Sequence, residues 1–312
     1  MATVAIVGAG DIGASCAHAL AAHDRVRHIL VIDSAANAAA GKALDIQQAG
    51  AIAGFHTRIE ATSDESRATG CTAFVIADRF ATGSPEWQGE EGLALIKRIA
   101  ASAPDAPIVC AGTKQAGVMQ AASREGRVNA QRLIGSATEA LASAVAAIVA
   151  MEARCSPNEV AVAVLGTPPG SAPERVEGSR PERAGRVEGS RPERAGRVEG
   201  SFVVPWSEAS IGGYALERVL SQVQLRDVEA RVARLWPPGP YALGAAAARV
   251  VEAVLHASRR SYNVLTVLDG EFGVRNRLGT VPALLASRGI VHTRVPALNT
   301  RERVQVETAL GV

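Results

Sequence analysis

Residues 3–13 read TVAIVGAGDIG: a β-branched apolar run over Thr3–Val7, a glycine-rich turn, and then an alanine-rich helical stretch ending near His23. Strand periodicity that gives way to helical periodicity across such a turn marks the start of a βαβ unit. In that setting Gly8 permits the tight turn, Gly10 lets backbone approach a pyrophosphate, and Gly13 lets the helix pack close to the strand. Asp11 and Ile12 complete the GxGxxG spacing and open the helix, whose N-terminus attracts phosphate. A second apolar strand, HILVID (28–33), ends in Asp33, twenty residues after Gly13. At that spacing a carboxylate bonds the adenosine ribose hydroxyls of a dinucleotide. Asp33 repels a 2′-phosphate and is followed by Ser34 and Ala35 rather than an arginine, which favours NAD over NADP.

Working outward, apolar runs at 73–77, 108–111 and 132–134 alternate with helical segments such as 90–103. The alternation predicts an α/β domain over residues 1–137, a Rossmann-type doubly wound parallel sheet. A long alanine-rich helix at 139–153 leads to a strand, AVAVLG (161–166). Farther on come FVVPWSEASIGG (202–213), a helix broken by PPGP (237–240), a long helix at 241–257, a hairpin around LDGEFG (268–273) and a last helix capped by Asn299 or Thr300. Residues 138–312 therefore read as an α+β C-terminal domain.

Composition narrows the function classes. The chain has 312 residues, 47% of them hydrophobic and 21% charged, with a net charge of +2. That balance gives no general attraction to nucleic acid or to an anionic membrane. Cys16, Cys71, Cys110 and Cys155 form no CxxC pair, which disfavours a metal site and fits reduced thiols in a cytoplasmic protein. The N-terminus lacks the basic segment and long apolar run of a signal peptide.

Residues 179–200 repeat the eleven-residue unit SRPERAGRVEG twice without a difference, and SAPERVEG (171–178) before them is a shortened copy. Each unit offers one valine and one alanine for burial. That is too little to offset the roughly 1–2 kcal/mol per residue needed to order backbone, so the insert at 171–200 is expected to be a disordered loop. Its seven arginines are balanced by six glutamates, which makes it a poor nucleic-acid tract.

GAGDIG with VID, GKALDIQQAG (41–50), VVPWSEASIGG (203–213), AAARVVEAVL (246–255), LDGEFG and VPALN (295–299) together resemble the lactate and malate dehydrogenase family. The resemblance covers nearly the whole chain outside the insert. It implies an NAD-binding domain followed by a substrate domain, NAD(H) as cofactor, a small carboxylic acid as substrate, and assembly into a homodimer or homotetramer.

The residues the family uses for chemistry are another matter. Reducing a 2-oxo acid by hydride needs a proton donor at the carbonyl oxygen and a cation for the carboxylate. The family's histidine follows the strand written here as AVAVLG, where this chain has Thr167, Pro168, Pro169 and Gly170. Ungapped spacing from Gly135 to Gly166 puts Leu141 and Ala146 where the family has the orienting aspartate and the carboxylate-binding arginine. The asparagine that contacts substrate falls on Lys114, and the substrate-loop arginines are represented at most by Arg79. None of the six histidines lies near that strand end. Removing 171–200 joins GTPPG to SFVVPW and restores a family-like spacing, so the insert sits in the loop that carries the family's histidine. Three readings stay open: an NAD-binding protein without the ordinary reaction, an oxidoreductase with a changed constellation built on Lys114 and Arg79, and a scaffold that has lost the nucleotide.

Overall fold

The computed structural model describes residues 2–80, 86–169 and 201–312. The expectation for the repeat insert lies outside the described residues. The first half runs β1 (Thr3–Val7), α1 (Asp11–Ala22), β2 (His28–Ile32), α2 (Ala36–Ala53), β3 (Arg58–Thr62), β4 (Ala73–Ile76), α3 (Gly89–Ser102), β5 (Ile108–Cys110), α4 (Ala116–Arg124) and β6 (Leu133–Gly135). Its strands are parallel in the order β3-β2-β1-β4-β5-β6. In that order the chain winds one way from β1 to β3 and the other way from β4 to β6. The crevice at the carboxyl ends of β1 and β4 is therefore the switch point, where doubly wound sheets bind ligands.

α5 (Ala137–Ala153) follows, and the boundary expected after residue 137 lies at its first residue. The stretch AVAVLG does not form one strand. It splits into β7 (Val160–Ala161) and β8 (Leu165–Gly166). Between them the main-chain N–H of Val164 donates to Asn263 Oδ1 at 2.9 Å, a side-chain acceptor in place of a ladder partner. β9 (Phe202–Val203), β10 (Ser210–Ile211), β11 (Tyr214–Ala215), α6 (Leu216–Val219), α7 (Gln222–Val232), α8 (Pro240–Leu255), β12 (Ser261–Asp269), β13 (Arg275–Ala286), β14 (Gly289–Thr293) and α9 (Thr300–Leu310) complete the chain. α9 is capped by Asn299, whose side chain accepts from the Glu302 N–H while Glu302 reaches back to the Asn299 N–H.

The main sheet crosses from one half to the other. β12 pairs antiparallel with β6, β13 with β12, and β8 with β13, giving eleven strands among the described residues. β7, β10 and β11 form a separate small sheet. The first half buries apolar side chains on both faces of its sheet, and α1 packs against α8. A polar knot ties the halves inside this apolar interior. Glu139, 4% exposed, accepts from the Asn263 N–H at 2.8 Å, and Thr138 Oγ1 donates to the Asn263 carbonyl at 2.8 Å.

Candidate functional site

The turn after β1 is built on its glycines. Gly8 has φ +113°, a conformation that favours glycine, and a Cβ there would collide with the main chain of Asp78. A Cβ on Gly13 would collide with the Gly8 carbonyl, so this glycine sets the close approach of α1 to the turn. A Cβ on Gly10 would collide with the Asp78 carboxylate.

That last contact identifies a residue to which the sequence reading gave no role. Asp78 lies two residues beyond β4, across the switch point from the glycine turn, and is 8% exposed. Its main-chain carbonyl accepts from the Gly10 N–H at 2.8 Å. Its Oδ2 accepts from the Asp11 N–H at 2.9 Å, and its Oδ1 accepts from the N–H groups of Ile12 and Gly13 at 3.0 Å each. The first N–H groups of a helix have no partner within the helix. Here one aspartate supplies acceptors to four consecutive residues, and its negative charge sits at the positive end of the helix dipole.

Asp33 is also engaged by main chain. At 5% exposure, its Oδ2 accepts from the N–H groups of Ala9 at 2.8 Å and Phe80 at 3.0 Å, and its Oδ1 from Ala35 at 2.9 Å. With Gly8 donating to the Ile32 carbonyl at 2.7 Å, every N–H from Gly8 to Gly13 has an acceptor within the protein. The glycines suit a dinucleotide. The amides do not fit its diphosphate while Asp78 holds them. Lys42 closes the rim, 3.4 Å from the Asp11 carboxylate and 5.2 Å from the Phe80 ring centre.

At the end of β5 the candidates Lys114 and Arg79 meet the Glu86–Trp87 pair from two directions. The exposed Lys114 donates its main-chain N–H to Glu86 Oε2 at 2.7 Å, and Thr113 Oγ1 donates to Glu86 Oε1 at 3.2 Å. Arg79 pairs with Glu91 at 2.9 Å and stacks 4.7 Å from the Trp87 ring centre.

Beyond β8, Thr167 donates its N–H to the Ser201 carbonyl at 3.0 Å and its hydroxyl to the Leu278 carbonyl at 3.2 Å, and Pro168 is buried. Leu141 is 0% exposed and packs with Val145, Val149 and Val164. Ala146 is buried as well. These side chains carry no group that titrates or donates a proton, apart from the Thr167 hydroxyl, which is already committed.

Elsewhere, a cleft of about 610 Å³ lined by Lys97, Asp105, Arg127, Arg132 and Arg288 lies at the opposite, N-terminal ends of β5 and β6. Among the described residues no cluster of His, Cys, Asp and Glu is arranged to hold a metal, and no helix is long and apolar enough to cross a membrane.

Comparisons with known proteins agree with this fold. Residues 2–124 match the family model described as the lactate/malate dehydrogenase NAD-binding domain. The malate dehydrogenase of Cytophaga hutchinsonii is 26% identical over an alignment covering 98% of this chain and 94% of that protein. That of Thioalkalivibrio sulfidiphilus is 25% identical, covering 100% and 97%. The solved malate dehydrogenase of Salinibacter ruber superposes with a TM-score of 0.79 at 20% identity, covering 99% of this chain and 94% of that one, which establishes the shared fold.

Proposed function

Because the chain belongs to the lactate/malate dehydrogenase family and carries that family's NAD-binding domain over residues 2–124, we propose that it binds NAD(H) without ordinary 2-hydroxy acid dehydrogenase turnover. The observation that carries this reading is the strand end at β8, where the buried Pro168 follows a Thr167 whose hydroxyl and N–H are both spent on main-chain carbonyls. General acid help is commonly worth about 10²- to 10⁴-fold, and among the described residues no donor stands ready to give it there. Leu141, inside the apolar packing of α5, and the buried Ala146 offer neither an orienting carboxylate nor a cation for a substrate carboxylate. A protein with these substitutions acts as a sensor of NAD(H), as a partner subunit or as a relic of the family.

A second reading is favoured by the malate dehydrogenases that align along nearly the whole chain. In it the protein is an oxidoreductase on a 2-hydroxy or 2-oxo acid, with Lys114 as proton donor and Arg79 as the carboxylate clamp. NADH oxidation against a panel of 2-oxo acids separates the two. Background rates support the first reading. Turnover abolished by Lys114→Met, with NADH binding intact, selects the second.

Self-association into a homodimer or homotetramer belongs to the same proposal. Leu44 and Ile52, 58% and 93% exposed, lie eight residues apart on α2 and so share one helical face. Light scattering that reports a monomer, for both the protein as it stands and an Ile52→Glu variant, would remove this part.

A further inference from the structure

We infer that Asp78 is a built-in competitor for the phosphate cradle: its carboxylate occupies the α1 N-terminus where a dinucleotide diphosphate would sit, and NAD(H) enters only by displacing it. The inference rests on the NAD(H) reading above and adds the residue that controls access to the cofactor site.

The geometry leaves little room for both anions. A helix N-terminus attracts phosphate because its leading N–H groups lack partners and its dipole favours negative charge. In this chain the N–H groups of Asp11, Ile12 and Gly13 are bonded to the Asp78 carboxylate at 2.9–3.0 Å, and that of Gly10 to the Asp78 carbonyl. The absent Cβ of Gly10, which on a dinucleotide turn makes space for the pyrophosphate, here makes space for the Asp78 carboxylate. Like charges repel, so a diphosphate cannot share the cradle with an ionised Asp78 at close range.

The residues next to Asp78 reinforce the competition. Two positions on, the Phe80 N–H donates to Asp33 Oδ2, drawing on the carboxylate expected to bond the adenosine ribose. The segment 78–80 thus makes an internal contact at both places where the dinucleotide would be anchored. Its displacement frees both together. Binding of NAD(H) then carries the cost of that displacement, which lowers apparent affinity by the fraction of molecules in which the cradle is open.

The test compares the full chain with Asp78→Ala and with Asp78→Asn, the second keeping the shape and one acceptor if the first folds poorly. Two quantities are measured: NADH affinity by fluorescence, and the thermal shift produced by inorganic pyrophosphate. The inference expects both variants to bind NADH at least tenfold more tightly than the parent, and pyrophosphate to raise the melting temperature of Asp78→Ala well above its effect on the parent. Folded variants that bind NADH no more tightly than a parent that itself binds it would overturn the inference and leave the NAD(H) reading standing. Pyrophosphate that stabilises Asp78→Ala alone, with NADH bound by no form, would support the competition at the cradle and overturn the NAD(H) reading instead. A lack of response to both ligands in all three proteins would overturn both.

Discussion

Replacing Glu139 probes the knot that joins the two halves of the chain. The side chain is 4% exposed, accepts from the Asn263 N–H at 2.8 Å and lies 3.5 Å from the Arg249 guanidinium. Glu139→Ala removes the acceptor of a buried donor, which costs about 1–3 kcal/mol. The partner Arg249 is 47% exposed, so the lost ion pair adds only about 0–1 kcal/mol. A total loss of roughly 1–4 kcal/mol is expected, visible as a lower urea midpoint with an unchanged slope. Glu139→Gln keeps an acceptor for Asn263 and removes the buried charge, so it should stay within about 1 kcal/mol of the parent at neutral pH. Burial pushes the Glu139 carboxyl above the ordinary carboxylate range, against the opposing pull of Arg249 and the Asn263 hydrogen bonds. The folded protein therefore holds this proton more tightly than the unfolded chain. Its contribution to stability is fully present below the ordinary glutamate value of 4.5 and is lost as pH rises through the folded value. Relative to the parent, Glu139→Gln should gain with rising pH, in urea titrations run from about pH 4 to about pH 8. A Glu139→Ala protein as stable as the parent, or a Gln variant whose relative stability falls as pH rises, would refute this account of the knot.

Burial pushes the Cys16 and Cys110 thiols up to about 12, whereas Cys155 is half-buried, so a thiol reagent on the native protein should label Cys155 first and reach Cys16 and Cys110 only on unfolding. Deleting 171–200 should leave the fold and NADH affinity unchanged by circular dichroism and titration. β8 and β9 already pair across the insert, Gly166 opposite Phe202, and loop length costs only about 0.6 kcal/mol per doubling. Asp33→Ala should weaken NADH binding by about 1–3 kcal/mol and also lower the melting temperature, because three main-chain N–H groups lose their acceptor. NADPH bound more tightly than NADH by the parent would contradict the role given to Asp33.

Much of the first half was legible because its signals are local. β1, the glycine turn and α1 follow one another within twenty residues, and the apolar runs became β4, β5 and β6 with ends moved by a residue or so. β3 (RIEAT) escaped because it lies at the edge of the sheet, with Ile59 its one buried residue and no apolar run to mark it. AVAVLG reads as one strand by composition, yet β7 and β8 belong to different sheets, a division set by Asn263 nearly a hundred residues away. The cradle shows the same limit. Two apolar strands end in a carboxylate, HILVID and AFVIAD, and the spacing that singles out Asp33 has no counterpart for Asp78. Its partners, Asp11 to Gly13, lie 65 to 67 positions away and meet it only because β1 and β4 are neighbours in the sheet. Leu141 and Ala146 were assigned by spacing alone. Both are buried, Leu141 among apolar side chains, a placement that spacing by itself does not reveal.

Cofactor occupancy and turnover can be read on one sample, with NADH fluorescence followed during incubation with saturating pyruvate and then oxaloacetate. Bound NADH should persist, consumed at rates far below the usual enzyme range of about 1–10³ per second. Oxidation of NADH within that range with either acid would contradict the proposed lack of ordinary turnover.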